Sequence, residues 1–364
     1  MKKYLILTKH IFTGCGIKLL FYLSIFVLLV FTICSCKKDS NDVTNNKYTV
    51  YTSGYTTVGG CYWKGTSRTD LPGGANTTSI FVSDGIVYTA GYYYNSKSRQ
   101  APCYWKGIEK INLPCDSTYD AYTTSIYVSN GTVYIAGHYT TSNAGNGEKS
   151  LACYWVNSIR KELNDNSVSW AFISSIFVVD TTVYLGGCRS GQQSHSVPCY
   201  WKSKIRTDLS MGNTTNGEVN SICVSNGNIY TCGYCGDYTM IPCYWMGSIK
   251  TDLETTLNGS ANSICIDGGS VYTAGHLSTE GYGACYWNGT SRTDLKGYSH
   301  YGTEEVSICA KEGTVFTAGC YYKPDPDRSF DGFYFPCYWI GNSRVDLPVV
   351  VDDYRNSTSS IFVE

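Results

Sequence analysis

A short acidic stretch near the C-terminus carries the residues best suited to hold a metal ion. Asp325, Asp327 and Asp331 lie in one segment, and carboxylate oxygens of this kind suit calcium. Further acidic residues occur shortly before and after this segment, at Glu304, Glu305, Asp352 and Asp353. The spacing misses the usual calcium-loop register, and acidic loops are commonly just solvated. The three aspartates are therefore a candidate calcium site, with a solvated loop as the alternative.

The same acidic region raises a second chemistry, cleavage of a glycosidic bond. Glycosidases use two carboxyl groups about 5 to 9.5 Å apart, and Glu305 with Asp353 could supply such a pair. The sequence contains no nucleophile motif and no distinctive acid–base set. We therefore expect a protein that is not an enzyme, and we keep a polysaccharide lyase or glycosidase as the alternative.

Eighteen cysteines form a third set. Cys232 and Cys235 match C-x-x-C, but the sequence offers neither the helix N-terminus that activates such a pair nor a second pair of zinc ligands. Seven other cysteines recur once per repeat, at one level, where neighbours are too far apart for the Cα separation of about 7 Å that a disulfide allows. Cys223, Cys265 and Cys309 replace an aromatic residue of the repeat. We interpret these thiols as free, small and buried.

The elements that must position these side chains follow from an internal repeat. Cys-Tyr-Trp occurs seven times at spacings of 42 to 52 residues, with its cysteines at Cys61, Cys103, Cys153, Cys199, Cys243, Cys285 and Cys337. One unit reads SIFVSDGIVYTAG, a variable loop, APCYWKG and then SRTDL. It contains four runs of β-branched and aromatic residues, which we name strands A to D. Four strands in such a period are typical of a propeller blade. The sequence therefore predicts an all-β, seven-bladed β-propeller with four-stranded blades.

The two ends of the repeat predict how the ring closes. The pair Val50-Tyr51 has no strand A before it, and the pair Ser360-Ile361 has no strand B after it. We predict a 1+3 closure, in which the C-terminal segment supplies strand A of the first blade. Such a closure removes a free strand edge.

Strand D, at the outer edge of each blade, repeats a cation and an acidic or amide residue. Arg68 with Asp70 is one instance, and Lys161 with Glu162 is the one expected in the third blade. Charge on an edge strand blocks edge-to-edge pairing. Because a single active site does not need seven copies, this pair is interpreted as a contact that builds the blade.

Two sets of connections predict two different faces. The A–B and C–D turns are short and uniform, whereas the B–C and D–A loops vary freely. Variable loops on a rigid scaffold commonly carry function, so the face bearing them is the predicted binding surface. One position, directly after the strand-B glycine, differs between blades and should form a ring near this face: Tyr55, Tyr92, His138, Cys188, Tyr234, His276 and Cys320. The alternative is a half-buried strand end that accepts any mid-sized side chain.

The variable loops are also rich in aromatic residues, which supply rigid contact area and stack on sugar rings. These residues are Tyr93, Tyr94, Tyr119, Tyr122, Tyr139, Trp170, Phe172, Tyr238, Tyr282, Tyr298, Tyr301, Phe330, Phe333, Tyr334 and Tyr354. Packing of the loops is the alternative role for many of them. From the ring and the loops together, the ligand-binding candidates are Tyr55, Tyr92, His138, Tyr234, His276, Trp170 and Tyr334.

The N-terminus has the three parts of a targeting segment. Four lysines precede an apolar run at 19–31, and Ile33-Cys34-Ser35-Cys36 follows. These residues resemble the lipobox of bacterial lipoproteins, which implies cleavage before Cys36 and lipid attached to it. An ordinary signal peptide or an uncleaved anchor is the alternative. The predicted organisation is a signal peptide at 1–35, a lipidated tether at 36–47 and the propeller at 48–364.

The stretch after Cys36 suggests where the protein is placed. It is polar and partly acidic, and it resembles the surface-export signals of Bacteroidota lipoproteins. The resemblance implies an outer-membrane protein, anchored through lipid and exposed at the cell surface. Without the four leader lysines, 24 basic residues face 29 acidic ones, a net charge of −5. This balance does not favour a nucleic-acid partner, which needs a concentrated basic surface.

The repeat unit itself resembles the HAF-type extracellular repeat of bacteria. The matching residues in the first unit are Tyr62-Trp63, Gly65 and Asp70-Leu71, and the chain departs from the pattern where Cys-Tyr replaces the His-Ala-Phe opening. The family implies an exported repeat protein and says little about a ligand. We therefore expect a surface protein that binds a glycan or a partner protein through its variable face. The other reading is a scaffold subunit of an outer-membrane complex. No cofactor is expected beyond the calcium considered above.

Overall fold

A computed structural model describes residues 47–143, 147–163, 168–191, 195–279, 281–295, 306–324, 332–349 and 356–364. The signal segment, Cys36 and most of the tether lie outside the described residues. Tyr48–Glu364 forms one compact unit. Among the described residues, the search for a long apolar helix that could cross a membrane finds none.

The described residues form seven four-stranded antiparallel sheets, each with strand A innermost and strand D at the outer edge. This confirms the predicted seven-bladed propeller. In blade order, the A strands are β28 (Ser357–Val363), β4 (Asn76–Ser83), β8 (Ala121–Ser129), β12 (Ala171–Val179), β16 (Gly217–Ser225), β20 (Gly259–Asp267) and β24 (Ser307–Lys311). The B strands are β1 (Val50–Thr56), β5 (Ile86–Tyr94), β9 (Thr132–Asn143), β13 (Thr182–Ser190), β17 (Asn228–Cys235), β21 (Ser270–Thr279) and β25 (Thr314–Pro324).

The outer half of each blade is formed by strands C and D. The C strands are β2 (Gly59–Lys64), β6 (Gln100–Lys106), β10 (Gly147–Val156), β14 (Ser196–Lys202), β18 (Ile241–Met246), β22 (Gly281–Asn288) and β26 (Gly332–Ile340). The D strands are β3 (Ser67–Asp70), β7 (Glu109–Asn112), β11 (Ile159–Glu162), β15 (Ile205–Asp208), β19 (Ile249–Asp252), β23 (Ser291–Asp294) and β27 (Ser343–Asp346).

The ring closes as predicted, through the C-terminal strand. β28 pairs antiparallel with β1, with Val363 opposite Val50, and the sheet order is β28-β1-β2-β3. Thr49 and Glu364 exchange two backbone hydrogen bonds of 2.9 and 3.0 Å. The A strands of neighbouring blades contact each other around the whole ring, and β28 contacts both β24 and β4.

The repeated tryptophan explains much of the packing between blades. Trp63, Trp105, Trp155 and Trp245 are fully buried. Each indole Nε1 donates to a backbone carbonyl just after strand D of the preceding blade, at distances from 2.8 to 3.3 Å. A buried indole needs such a partner, so the tryptophan joins one blade to the next while it fills the core.

A second set of hydrogen bonds joins the inner strands. Thr77, Thr123 and Thr358 donate from Oγ1 to the strand-B glycine carbonyl of the preceding blade, at 2.7 to 2.9 Å. The repeated serine of strand A accepts from the backbone N–H of the next blade, as Ser79 does from Ile126 at 3.2 Å. The Ser-Ile pair of the repeat is therefore a contact between blades.

The paired residues of strand D form the expected ion pairs, with one correction. Arg206 contacts Asp208 at 3.0 Å and Lys250 contacts Asp252 at 2.7 Å. In the third blade the partner of Glu162 is Arg160, at 3.2 Å, so the assignment of Lys161 was wrong. Residues two apart lie on the same side of a strand, whereas adjacent residues point to opposite sides.

Strands A and B extend further toward the variable face than the repeat motif predicted. Tyr122 and Phe172, assigned to D–A loops from the sequence, lie in strands β8 and β12. A β-bulge in strand A, such as that between Thr123 and Ser125, lets the pairing with strand B continue beyond the Ser-Ile pair. The tips of both strands therefore carry the side chains that surround the centre of the variable face.

Candidate functional site

The ring predicted from the sequence lies at the variable-face ends of the B strands, and a second ring lies beside it. Six of the seven ring residues have a described partner across the sheet in strand A, and these pairs together form what we call the inner rim. The described pairs are Tyr55–Ser357, Tyr92–Asn76, His138–Tyr122, Cys188–Phe172, Tyr234–Glu218 and His276–Ser260. Sequence reasoning missed the strand-A partners because it assigned those positions to loops.

The first and second blades enclose a cleft of about 470 Å³, which we call the tyrosine cleft. It is lined by Tyr55, Thr56, Thr57, Val58, Gly59, Ala75, Asn76, Tyr92 and Tyr94. Two of the predicted candidates, Tyr55 and Tyr92, thus lie in one cleft. The ring of Tyr94 meets that of Tyr92 edge to face at 5.8 Å, and Tyr94 is more than half exposed.

Asn76 supplies the polar group of the tyrosine cleft. Its Nδ2 donates to the Tyr92 hydroxyl at 3.5 Å. Its Oδ1 is buried and has no hydrogen-bond partner among the described residues. A buried acceptor without a partner is energetically costly, so a ligand donor at this position would relieve that cost. The sequence pattern held no signal for Asn76.

The short B–C loop of the first blade opens this cleft. It contains only Thr57 and Val58 between β1 and β2. Six residues separate the strand-B glycine from the Cys-Tyr-Trp cysteine in this blade, against nine or more in each other blade. Gly59 adopts φ of +119°, and a Cβ there would approach the Gly74 carbonyl oxygen to 2.7 Å. Only glycine suits this backbone conformation, and the tight turn leaves a gap in the rim beside Tyr92.

Two further candidates, His138 and Trp170, belong to an aromatic cluster between the third and fourth blades. His138 stacks on Tyr122 with ring centroids 4.8 Å apart and meets Phe172 edge to face at 5.0 Å. Trp170 packs against Phe172 at 5.3 Å. Burial lowers the pKa of His138 to about 4, so this imidazole is neutral at physiological pH and serves here as a packed aromatic ring.

Tyr234 lies beside the acidic side chain of the described inner rim. Burial and the neighbouring Glu218 carboxylate raise the Tyr234 pKa well above its usual value. Ser196 Oγ donates to Glu218 Oε1 at 3.0 Å. The carboxylate is therefore held by the Ser196 hydroxyl and lies opposite Tyr234 in the sheet of the fifth blade.

The remaining ring residues, His276, Cys188 and Cys320, are buried. The loop candidate Tyr334 lies in β26, where its ring meets that of Tyr322 edge to face at 5.5 Å. The structure thus joins Tyr55 to Tyr92 and His138 to Trp170, whereas Tyr234, His276 and Tyr334 belong to other blades. These candidates remain predictions as ligand contacts.

A peripheral cavity of about 670 Å³ lies next to the third blade and contains Cys115, Asp116 and Glu162. Tyr139 donates to Glu162 at 3.1 Å, and Arg160 lies 4.3 Å from the Tyr139 ring centre. The seventh blade repeats this arrangement with other residues, since Arg344 lies over the Tyr321 ring. A motif shared between blades is a structural contact, so this cavity carries less functional weight than the tyrosine cleft.

The central channel holds a small polar cavity of about 190 Å³. Its lining consists of hydroxyl and amide side chains from the bulges of the A strands with one valine: Thr78, Ser79, Thr124, Ser125, Ser174, Ser175, Asn220, Asn262, Ser263, Val306, Ser307, Ser359 and Ser360. Thr124 Oγ1 is buried and lacks a hydrogen-bond partner in the described part of the chain. This lining was not anticipated from the sequence.

The proposed calcium ligands Asp325, Asp327 and Asp331 lie outside the described residues, as do Glu304, Glu305, Asp352 and Asp353. Within the described ranges, the search for three or more clustered His, Cys, Asp or Glu side chains that could hold a metal ion finds none.

The described cysteines are free, as predicted, and all seven Cys-Tyr-Trp cysteines are buried. Burial raises the pKa of the Cys61 and Cys103 thiols to about 12, so they stay protonated and unreactive. Cys232 and Cys235 lie three residues apart in one strand and therefore point to opposite sides of the sheet. Cys265 and Cys309 are half-buried, which departs from the expected full burial.

No family model matches the chain, and no curated protein matches it. The resemblance to HAF-type repeats therefore stays a prediction from the motif. Several solved structures resemble the chain at low identity. A Mycobacterium tuberculosis puromycin-hydrolyzing peptidase has a TM-score of 0.47 and 11% identity, over 76% of this chain and 46% of that one.

Two carbohydrate-acting enzymes are also similar in fold. A Trypanosoma rangeli sialidase mutant displaying trans-sialidase activity gives a TM-score of 0.44 and 9% identity, over 81% of this chain and 56% of that one. A mutant of the Bombyx mori GH32 β-fructofuranosidase, in complex with sucrose, gives 0.38 and 10%, over 79% and 91%. The chain spans about half the length of the peptidase and of the sialidase.

These structures overturn one expectation. The absence of a catalytic motif predicted a protein without enzymatic activity, and that expectation is corrected here, because the solved structures that resemble this chain are a peptidase, a sialidase and glycoside hydrolases. At such low identity the likeness concerns the fold, which does not by itself specify a reaction.

Proposed function

We propose that the variable face binds a carbohydrate and that the tyrosine cleft is the primary site. The observation that carries this proposal is the buried, unpartnered Oδ1 of Asn76 beside Tyr92 and Tyr94. Aromatic faces stack on the C–H surfaces of sugars, and an amide oxygen accepts a sugar hydroxyl. A volume of about 470 Å³ lies within the range of small-molecule sites.

A glycan-array screen of the propeller, with and without calcium, tests this proposal. Selective binding that is lost in Tyr92→Ala or Tyr94→Ala supports the tyrosine cleft. Tyr238→Ala is the matched control, because Tyr238 is fully exposed on the B–C loop of the fifth blade and lies outside the cleft. Equal loss in the control, or no binding to any glycan, would count against the site.

The variants Trp170→Ala and Tyr334→Ala extend the screen to two further candidates, which are half-buried. Loss of binding in Trp170→Ala alone would move the site to the aromatic cluster around His138. If neither the wild type nor any variant binds a glycan on the array, a protein ligand or a scaffold role in a larger complex is favoured. Crosslinking on intact cells would then identify the partner.

Glycoside hydrolysis is the second candidate function, and Glu218 is the residue that favours it. A hydroxyl nucleophile within hydrogen-bond reach of a base, with the base oriented by a third group, is a typical catalytic arrangement. Tyr234, Glu218 and Ser196 have these relative positions. The raised pKa of Tyr234 keeps its hydroxyl protonated in the free protein, so Glu218 would have to accept that proton during the reaction.

A panel of fluorogenic glycosides tests hydrolysis directly. We expect that Glu218→Gln would abolish any cleavage, because the amide cannot accept the tyrosine proton. Asp237→Asn is the control, since Asp237 lies in the B–C loop of the same blade, where it binds Thr215. Cleavage that survives Glu218→Gln would rule out this assignment.

For the cellular context, we propose lipid attachment at Cys36 and exposure at the surface of an outer membrane. The lipobox-like Ile33-Cys34-Ser35-Cys36 and the polar stretch after it support this proposal. Metabolic labelling with a palmitate analogue should mark the wild type and not Cys36→Ala. Protease treatment of intact cells should degrade the propeller if it faces outward, and should spare it if it faces the periplasm.

A further inference from the structure

Four consecutive blades expose an isoleucine at the C–D turn, on the face opposite the variable loops. Ile108, Ile159, Ile205 and Ile249 belong to blades two to five and have exposed fractions between 61% and 75%. At the start of strand D, blades one, six and seven carry Ser67, Ser291 and Ser343 instead. We call the four isoleucines the isoleucine arc and the face that bears them the turn face.

Three members of the arc lie at corresponding points of the repeat. Ile159, Ile205 and Ile249 are each the first residue of strand D and pair with the last residue of strand C. Equivalent positions in a propeller have the same height, so these three side chains lie at one level of the turn face. Ile108 lies one residue earlier, in the turn of blade two.

The N-terminal segment joins the propeller on this same face. Thr49 pairs with Glu364 next to the start of β1, and the Val50 carbonyl accepts from Gly65 N–H in the first C–D turn. The apolar run at 19–31 and Cys36 therefore precede an entry point on the turn face. Eleven residues separate Cys36 from Tyr48, and a chain of that length reaches roughly 40 Å at most.

Exposed lysines lie beside part of the arc: Lys106 precedes Ile108, and Lys202 and Lys204 precede Ile205. The cations that follow the other isoleucines, Arg160, Arg206 and Lys250, instead pair with carboxylates of strand D. Long basic side chains extend from apolar surfaces toward lipid headgroups, and apolar residues beside them enter the interface. Isolated side chains on one face suit a flat lipid surface better than the contiguous apolar patch that a protein partner buries.

We propose that the turn face rests on the lipid surface to which the protein is anchored, with the isoleucine arc inserted among the headgroups. This orientation of the propeller rests on the lipid anchoring proposed above. In this orientation the variable face points away from the membrane. A glycan at the tyrosine cleft would then be bound on the solvent side.

Vesicle co-sedimentation of residues 47–364 tests the arc without Cys36 or any glycan. This fragment is suitable because the closed ring is one compact unit with its own core. We expect the wild type to partition onto phosphatidylcholine vesicles containing anionic lipid. The variant Ile159→Ser/Ile205→Ser/Ile249→Ser carries the residue that other blades use there, and about tenfold weaker partitioning is expected, since each isoleucine loses buried apolar area.

Two further variants sharpen the test. Val58→Ser removes an equally exposed apolar side chain from the variable face, and it should partition like the wild type. Ser291→Ile/Ser343→Ile extends the arc into the remaining blades and should strengthen partitioning. Thermal unfolding of every variant should match the wild type, because all of these positions lie in exposed turns.

Three outcomes would overturn the proposal. The wild type could remain in the supernatant at high lipid concentration, or the triple serine variant could pellet as well as the wild type. Sedimentation velocity gives the third outcome: if the serine substitutions abolish a dimer and leave lipid partitioning unchanged, the arc contacts a second copy of the chain. Because the assay contains neither glycan nor Cys36, these results are independent of the proposed function.

Discussion

Gly137 and His138 are neighbours in strand β9, but only the second position varies in residue type from blade to blade. The position of Gly137 is glycine in every blade, whereas the position of His138 is tyrosine, histidine or cysteine. At Gly137 a Cβ would overlap the Tyr122 carbonyl oxygen, because the bulge in strand A brings that carbonyl close to strand B. His138 points along the inner rim, where its ring meets only other side chains.

This contrast separates the framework from the inner rim. The glycine, the Cys-Tyr-Trp strand and the C-terminal strand are constrained by backbone contacts that every blade must make. The rim side chains are constrained only by their neighbours, so they can differ from blade to blade. Substitutions in the framework should therefore cost stability, and substitutions in the rim should mainly change binding.

Removal of residues 357–364 should give the largest effect. It deletes the inner strand of the first blade, exposes the edge of β1 and removes the contacts of β28 with β24 and β4. We expect Tm to fall by about 10 °C or more, as measured by calorimetry. Deletion of Glu364 alone is the control and should have a small effect; an unchanged Tm in the longer truncation would show that the ring does not depend on this closure.

Gly137→Ala should come next and tests the two neighbouring positions directly. The added methyl group meets a backbone carbonyl that cannot move without breaking the A–B ladder, and about 3 kcal/mol of stability should be lost. Guanidinium denaturation measures the difference. His138→Ala is the companion variant. If it lowered the free energy of unfolding as much as Gly137→Ala does, the distinction between framework and rim would be wrong.

Two tryptophans provide an intermediate test. Trp245 is buried and donates from Nε1 to the Ser210 carbonyl at 2.8 Å, so Trp245→Phe should cost about 2 kcal/mol through the unsatisfied carbonyl and the lost volume. Trp170 is partly exposed in the aromatic cluster around His138, and Trp170→Phe should change stability by less than about 0.5 kcal/mol. Equal costs at the two positions would contradict the placement of Trp170 outside the framework.

The pH dependence carried by His138 is expected only on the acid side of neutrality. Its pKa is about 4 in the folded protein, below the usual 6.5, because burial disfavours the charged form. Between these values the unfolded chain binds more protons, so stability rises with pH across this window and is fully present above 6.5. His138→Phe should remove this dependence, roughly 2 kcal/mol between pH 4.5 and 7.5, as measured by paired denaturation curves at these two pH values.

The fold could be predicted because its signals repeat. Seven copies of Cys-Tyr-Trp and the complementary chain ends specify the number of blades and the closure without any knowledge of distances. The candidate site was predicted less completely. The ring after the strand-B glycine was visible as variation in a uniform repeat, but its strand-A partners Asn76, Tyr122 and Glu218 were not, because the bulge that aligns them leaves no motif.

The pairing in strand D shows the same limit on a smaller scale. Lys161 and Arg160 are adjacent cations, and only the side of the strand on which each lies decides which one reaches Glu162. The alternation of side chains along a strand determines which residues lie on the same face of the sheet. The register with the neighbouring strand determines which side faces the partner.

The sequence by itself determined the all-β class, the seven blades and the strand that closes the ring, because these depend on local patterns repeated along the chain. The tertiary structure alone decided that Tyr55 and Tyr92 share a cleft with Asn76, and that the isoleucines of four blades are exposed on the turn face. Such proximities arise from the curvature of the ring, which brings residues of different repeats together at distances that no spacing along the chain encodes.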